Sequence, residues 1–218
     1  MYKYPKIETL FKRDKNFKVT NEIRLPEFEN IKNWLITEKI DGTNIRIIYT
    51  PDDKLLIRGR TDRASIPTFL LEELQKTFTI EKIRAVLDNP IEKGLCLYGE
   101  EYGAKIQKGG GNYNKGNSFR LFDVWIDGCW LEWGGIEETA NKLGIKTAPT
   151  AGLMNIEDAT TLVNGKNKLY SRIALDENKT EVLVEGIVAR TDPTMLFRRG
   201  KPIKWKLKIK DYNKKEVK

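Results

Sequence analysis

Residues 34–49 read WLITEKIDGTNIRIIY. Apolar runs at Trp34–Glu38 and Asn44–Thr50, rich in Ile, Leu and aromatic residues, read as strands, and Asp41-Gly42 stands between them as a turn signal. Moving outward, Thr50-Pro51-Asp52-Asp53 reads as a turn that joins the second run to Lys54–Arg58 in a hairpin. Further strands are expected at Leu95–Glu100, Ser118–Ile126, Glu181–Arg190 and Pro202–Ile209. Helical signals are fewer. Ser65 is a candidate cap for a helix with Pro67 in its first turn that runs on through FLLEELQKTF. Ile136–Leu143 is a second, stopped by Gly144, and Asn155 caps a third, IEDATTLV, which runs out at Asn164-Gly165. Strands dominate, with helices set between them and no regular βαβ alternation. The expected fold class is therefore α+β, antiparallel β-sheets with flanking helices. The loop Lys108–Asn117 reads as flexible and basic, and the lysine-rich tail after Tyr212 as frayed.

A chain of 218 residues holds one domain with a sizeable core, or two small ones. Lys and Arg number 39 against 31 acidic residues, a net charge of +8, which points to a polyanionic partner such as nucleic acid or nucleotide phosphate. The charged N-terminal stretch is neither a signal peptide nor a membrane anchor, and no later run is long enough to span a bilayer. Cys96 and Cys129 lie in apolar, strand-like surroundings and read as buried free thiols of a cytosolic protein. The chain has no histidine. That removes Ser–His and Cys–His mechanisms and histidine-ligated metals, and leaves lysine, carboxylates, arginine and an oxygen-coordinated cation for any catalysis.

Five segments are candidates for chemistry. In Glu38-Lys39-Ile40-Asp41-Gly42-Thr43-Asn44, Lys39 ends an apolar strand at a tight turn, which would hold its amine in a fixed, partly dehydrated place. Gly42 would let the backbone approach a nucleotide, whereas the plain reading is a hairpin whose lysine points into water. In Leu97–Gly103, an apolar strand ends in a carboxylate pair that could set Glu100 at a cleft mouth, or simply in water. In Phe119–Trp125, alternation puts Phe119, Leu121 and Asp123 on one face and Arg120, Phe122 and Val124 on the other, giving either a ring for a purine or core packing. In Val184–Arg190, Glu185 sits beside a glycine inside an apolar strand, and a buried carboxylate needs a partner or a cation, Mg²⁺ being the natural one near phosphates. In Lys204–Tyr212, Lys204, Lys206, Lys208 and Lys210 line one face and Trp205, Leu207 and Ile209 the other, either a phosphate clamp or a solvated edge strand.

Taken in order, KIDG, GEE, LFDVW, VEGIVAR and WKLKIKD resemble the motif series of the covalent nucleotidyltransferase superfamily of DNA ligases, RNA ligases and mRNA capping enzymes, from Lys39 to Tyr212. The resemblance implies the ligase adenylation fold, in which the sheets and helices form a nucleotide-binding cleft. It implies that Lys39 takes up AMP, that Glu100 contacts the ribose, and that Phe122 stacks on the adenine, with Phe119 as the other register. Glu185 would assist the metal, directly or through water, with Glu100 as a further metal residue. Lys206 and Lys208 would hold the α-phosphate, preferred over the register Lys204 and Lys206. Arg60 would contact sugar or phosphate, and Glu38, Asp41 and Asn44 would line the nucleotide site. The implied cofactors are ATP as AMP donor and Mg²⁺ or Mn²⁺.

Two details favour RNA ligase within the superfamily. Asn44 stands where DNA ligases commonly carry arginine, and the chain stops soon after the last motif, with no room for an OB-fold or C-terminal domain. The expected organisation is a single adenylation domain over 1–218, with 1–33 packing on it. The expected activity is ATP-dependent joining of RNA 5′-phosphate and 3′-hydroxyl ends, nicked duplex included, by a monomer. Lys105, Lys108, Lys115, Arg198 and Arg199 are expected to track the polynucleotide backbone. The rival readings are a minimal ATP-dependent DNA ligase and a nucleic-acid-binding module without catalysis.

Overall fold

Apolar runs bounded by turn residues become strands here in an order that alternates irregularly with short helices. The computed structural model describes residues 3–164 and 168–212. Its strands are β1 (Glu8–Thr9), β2 (Phe11–Arg13), β3 (Val19–Ile23), β4 (Trp34–Lys39), β5 (Thr43–Tyr49), β6 (Leu55–Gly59), β7 (Leu95–Gly103), β8 (Asn117–Ile126), β9 (Cys129–Trp130), β10 (Lys146–Thr147), β11 (Thr150–Met154), β12 (Gly186–Arg190) and β13 (Lys204–Lys208). Its α-helices are α1 (Pro26–Glu29), α2 (Thr68–Thr77), α3 (Ile80–Arg84), α4 (Trp133–Leu143), α5 (Ile156–Asn164) and α6 (Arg172–Asn178). Antiparallel sheets with several helices make the fold α+β, as expected. The described residues divide into two compact units, one from 3–5, 42–111 and 115–147, the other from 6–41, 112–114, 148–164 and 168–212.

The first unit is built on a six-stranded sheet in the order β10-β8-β7-β5-β6, with β9 paired to β8. Only β10 runs parallel to its neighbour. The β5–β6 hairpin turns at Thr50–Asp53, where Asp53 N–H donates to the Thr50 carbonyl at 3.0 Å. In α4, Trp133, Ile136, Ala140 and Leu143 are buried at helical spacing, and Gly144, at φ 67°, closes the helix in the left-handed region. The helix starts a turn before the expected Ile136. Helix α2 starts after Pro67 with no side-chain cap, so Ser65 does not cap it. Cys96 is buried, but Cys129 is exposed, because it sits on a two-residue strand at the sheet's margin rather than in a core strand.

The second unit holds a five-stranded sheet, order β1-β13-β12-β4-β11, and the small β2–β3 pair. Alternation sends Trp34 and Ile36 of β4, Ile187 and Ala189 of β12, and Trp205 and Leu207 of β13 into one core. Phe28 meets Trp34 edge-on at 5.8 Å, and Trp34 meets Trp205 at 5.5 Å. Helix α5 adds Ala159 and Val163, and the Asn155 side chain accepts from Asp158 N–H at 2.8 Å, as expected of its cap. The expected strand over 181–190 begins only at Gly186. Residues 169–171 and 182–184 instead form a short antiparallel bridge, and the chain bends at Glu185. Gly165 and the tail after Tyr212 lie outside the described residues. Among the described residues no helix is long and apolar enough to cross a membrane.

Candidate active site

Strands β4, β12 and β13 lie side by side in register, with Lys39 opposite Gly186 and Gly186 opposite Lys208. A Cβ on Gly186 would lie 2.0 Å from the Leu207 carbonyl oxygen, so only glycine lets β12 approach β13 this closely. The residue before it, Glu185, takes ion pairs from both lysines, one carboxylate oxygen to Lys39 Nζ and the other to Lys208 Nζ. All three side chains are only 16–23% exposed. Burial pushes the Glu185 carboxyl up, but the Lys39 and Lys208 ammoniums outweigh it and hold the group below its usual range. The structure thus brings together three of the expected catalytic residues around a carboxylate flanked by two cations. Lys206 lies one row along, opposite Val188, on the face away from Trp205 and Leu207. Lys204 is buried at the far end of the strand, opposite Arg190. Strand β13 lies between β1 and β12 rather than at an edge, so its lysine row is not an edge-strand device.

Glu38 points to the other side of β4, where its carboxylate accepts from Ser171 Oγ at 2.5 Å and from Arg172 N–H at 3.0 Å. There it ties β4 to the start of α6, whose own cap is Ser171, accepting from Ala174 N–H. Asp41 is half-buried. Sequence reasoning missed Tyr113, which lies in the glycine-rich loop yet is buried and donates to the Leu183 carbonyl at 3.3 Å. Burial and then the charges of Glu38, Asp41 and Glu185 push its phenol up, so this ring stands near the same acidic groups. A lone aromatic among glycines and asparagines was the available signal.

Asn44, Glu100 and Arg120 form one cross-strand row in the six-stranded sheet. Asn44 Oδ1 is buried without a hydrogen-bond partner, an acceptor open to a donor. Gly42 comes close to β7 itself, since a Cβ there would lie 2.1 Å from the Glu101 carbonyl oxygen. Strict alternation along β8 fails at Phe122. The register jumps from Tyr98 opposite Asp123 to Gly99 opposite Leu121, which leaves Phe122 as the extra residue of a bulge. Tyr4 consequently meets both the Asp123 carboxylate, at 2.5 Å, and the Phe122 ring, edge-on at 5.2 Å. Phe122 stays half-exposed, whereas Phe119 is buried against Phe78 at 5.1 Å. Arg60 follows β6 and is exposed, as are Lys105, Lys108 and Lys115 of the loop after β7, and Arg198 and Arg199 between β12 and β13.

For a divalent cation, Glu185 offers a partly exposed oxygen donor of the right hardness. No group of three or more Asp, Glu, Cys or His side chains forms among the described residues, so nucleotide phosphates and water would have to complete the shell.

The family model described as RNA ligase matches residues 32–206. Among solved structures, an RNA ligase variant from Naegleria gruberi in its apo form matches with TM-score 0.65 and 20% identity, over 96% of this chain and 56% of that one. A variant with ATP and Mn matches with TM-score 0.62 and 20% identity, over 93% and 59%. One with AMP and Mn matches with TM-score 0.63 and 20% identity, over 96% and 62%. At this identity the likeness carries the fold, and the chain spans between 56% and 62% of the length of these three relatives. Comparison with curated proteins finds no match. With the family model covering most of its length, the chain belongs to the RNA ligase family.

Proposed function

We propose that this chain is an ATP-dependent RNA ligase that works through a lysyl-AMP intermediate on Lys39. The observation that carries the reading is the pairing of Lys39 and Lys208 with Glu185, on three adjoining strands of a chain in the RNA ligase family. Relatives of the same fold were solved with ATP and Mn, with AMP and Mn, and with PPi, which are the reactant, adduct nucleotide and leaving group that such a transfer would use.

Lys39, its ammonium having first given a proton to solvent, attacks the α-phosphorus of ATP as the free amine. The new N–P bond forms as the bond to the β-phosphate oxygen breaks, and pyrophosphate leaves with that electron pair. The amine's surplus proton passes to solvent. Lys208 and Lys206 offset the negative charge that builds on the α-phosphate, and their strand holds them in place before reaction begins. Glu185 keeps the two ammoniums of the resting site from repelling one another, and is the residue to hold Mg²⁺ or Mn²⁺, whose chemistry is charge neutralisation on the phosphates. Asn44, Glu100, Phe122 and Arg60 take the contacts to adenosine and phosphate. AMP then passes to an RNA 5′-phosphate, freeing Lys39, and a 3′-hydroxyl displaces AMP to join the strands.

The test uses Mg²⁺ and ATP labelled at the α-phosphate, with the wild type beside Lys39→Ala. Covalent label on the wild type alone is the expected result. Folded wild type that is free of bound AMP and takes no label would sink the reading. Comparing sealing of RNA and DNA nicks then identifies the polynucleotide.

A further inference from the structure

The loop between β12 and β13 is an ordered hairpin. Ile203 N–H donates to the Met195 carbonyl at 2.9 Å, Phe197 N–H to Lys201 at 2.8 Å, and Gly200 N–H back to Phe197 at 2.8 Å. Leu196 bridges Pro202, and Met195 N–H donates to Thr191 Oγ1 at 2.7 Å. Phe197 pins the hairpin to the core, its ring 6.4 Å from Phe28. On this fixed base, Met195 and Leu196 are 49% and 47% exposed, and Arg198, Arg199 and Lys201 are exposed beside them. None of these three cations makes an ion pair among the described residues. From Pro193 to Lys210 the chain carries seven cations and no acidic residue. The basic run therefore leads from the hairpin along β13 to Lys208 and the Lys39 pair.

We propose that residues 193–203 form an arm that grips an unpaired RNA strand on its way to Lys39. Arg198, Arg199 and Lys201 hold phosphates, and Met195 and Leu196 pack on the faces of bases. Unpaired cations held on a rigid turn suit a polyanion, because little side-chain pairing must be broken to bind it. Exposed apolar side chains among them suit bases that are not stacked in a duplex, since a helix presents phosphates and sugars but hides its base faces. Continuity of charge with the candidate nucleophile favours a strand over a lipid surface. The arm rests on the ligase reading, and its test separates the two.

Fluorescence anisotropy would measure the full chain binding a single-stranded RNA and a blunt duplex of equal length across a salt series. Arg198→Gln/Arg199→Gln/Lys201→Gln is expected to weaken single-strand binding at least tenfold at low salt. Its plot of log affinity against log salt should be shallower by about 2, at roughly 0.7 for each phosphate no longer neutralised. Met195→Ser/Leu196→Ser is expected to weaken single-strand binding roughly tenfold, the worth of burying about 50 Å² of apolar surface against base faces, with the slope unchanged and the duplex unaffected. Thermal melts confirm that both variants fold. Variants that bind both RNAs like the wild type overturn the arm, as does a loss confined to anionic phospholipid vesicles. Labelling of wild-type Lys39 is scored separately: label with unchanged RNA binding removes the arm alone, and no label removes the ligase reading.

Discussion

Glu101 follows Glu100 in sequence, yet alternation along β7 turns the two carboxyls to opposite faces of the sheet. Glu101 is 3% exposed, and its Oε2 finds no hydrogen-bond partner. Burial, and after it the charge of Glu73, push the group from the usual 4.5 up to about 8. A raised value means that the native state holds the proton more tightly than the unfolded chain does. The stabilisation is present below the usual value and is lost as pH climbs through about 8. A lift of that size is worth as much as about 5 kcal/mol. Glu101→Gln should match the wild type in melting temperature at pH 5 and exceed it at pH 9, and parallel melting curves over that range would refute this. Among single residues, the convergence of Lys39, Glu185 and Lys208 was legible in the order of the motif series, whose resemblance put all three at one site, whereas the lysine row alone left a solvated strand open. Tyr113 and the Glu38–Ser171 hydrogen bond were not legible. Both depend on segments far apart in sequence, and the one local signal, a lone aromatic among glycines and asparagines at Tyr113, does not say what it packs against.

Long strands and the Thr50–Asp53 turn were legible because period-two apolar runs and turn residues act locally. Helices α3 and α6, of five and seven residues, were missed: each is too short to show a period and relies on one side-chain cap, from Thr79 and Ser171. The bulge at Phe122 exists only in pairing with β7, so alternation read on β8 alone assigned Phe122 and Asp123 to opposite faces. Close strand approach is equally a property of pairs, and Gly186 is where it can be tested. In Gly186→Ala the added Cβ meets backbone, the Leu207 carbonyl at 2.0 Å and Lys208 Cα at 2.8 Å, and no side-chain rotation relieves it. The cost should be about 3 kcal/mol in urea unfolding. Because β12 must move off β13, the proposed lysyl-AMP formation should fall even at temperatures where the variant remains folded. A variant as stable and as reactive as the wild type would show that the strands slide apart without cost.

That the chain forms two compact units was not visible in composition, since the chain crosses between them five times and no single linker divides it. The chain passes from one unit to the other at Pro5–Lys6, Asp41–Gly42, Gly111–Asn112, Asn114–Lys115 and Thr147–Ala148. Two of these crossings fall in the glycine-rich loop and one at the Asp41-Gly42 turn, so the first motif of the series, Lys39 to Gly42, runs through a crossing. Neither unit is therefore a contiguous segment. The sharpest case is Tyr4, which precedes all the strands of the five-stranded sheet but belongs to the other unit. It donates to the Asp123 carboxylate and packs on Tyr98 at 5.0 Å and on Phe122. Asp123 is 1% exposed, so removing a donor leaves a buried carboxylate less well satisfied. Tyr4→Phe keeps the ring and removes that bond, at about 2 kcal/mol for a hydrogen bond to a charged group. Each sheet is complete in its own unit, with no strand shared between them. The substitution should therefore speed hydrogen exchange in β7 and β8 and leave β4, β12 and β13 as protected as in the wild type. Equal acceleration in both sheets would show instead that the interleaved chain makes the two units unfold as one, with Tyr4 a fastener for the whole molecule.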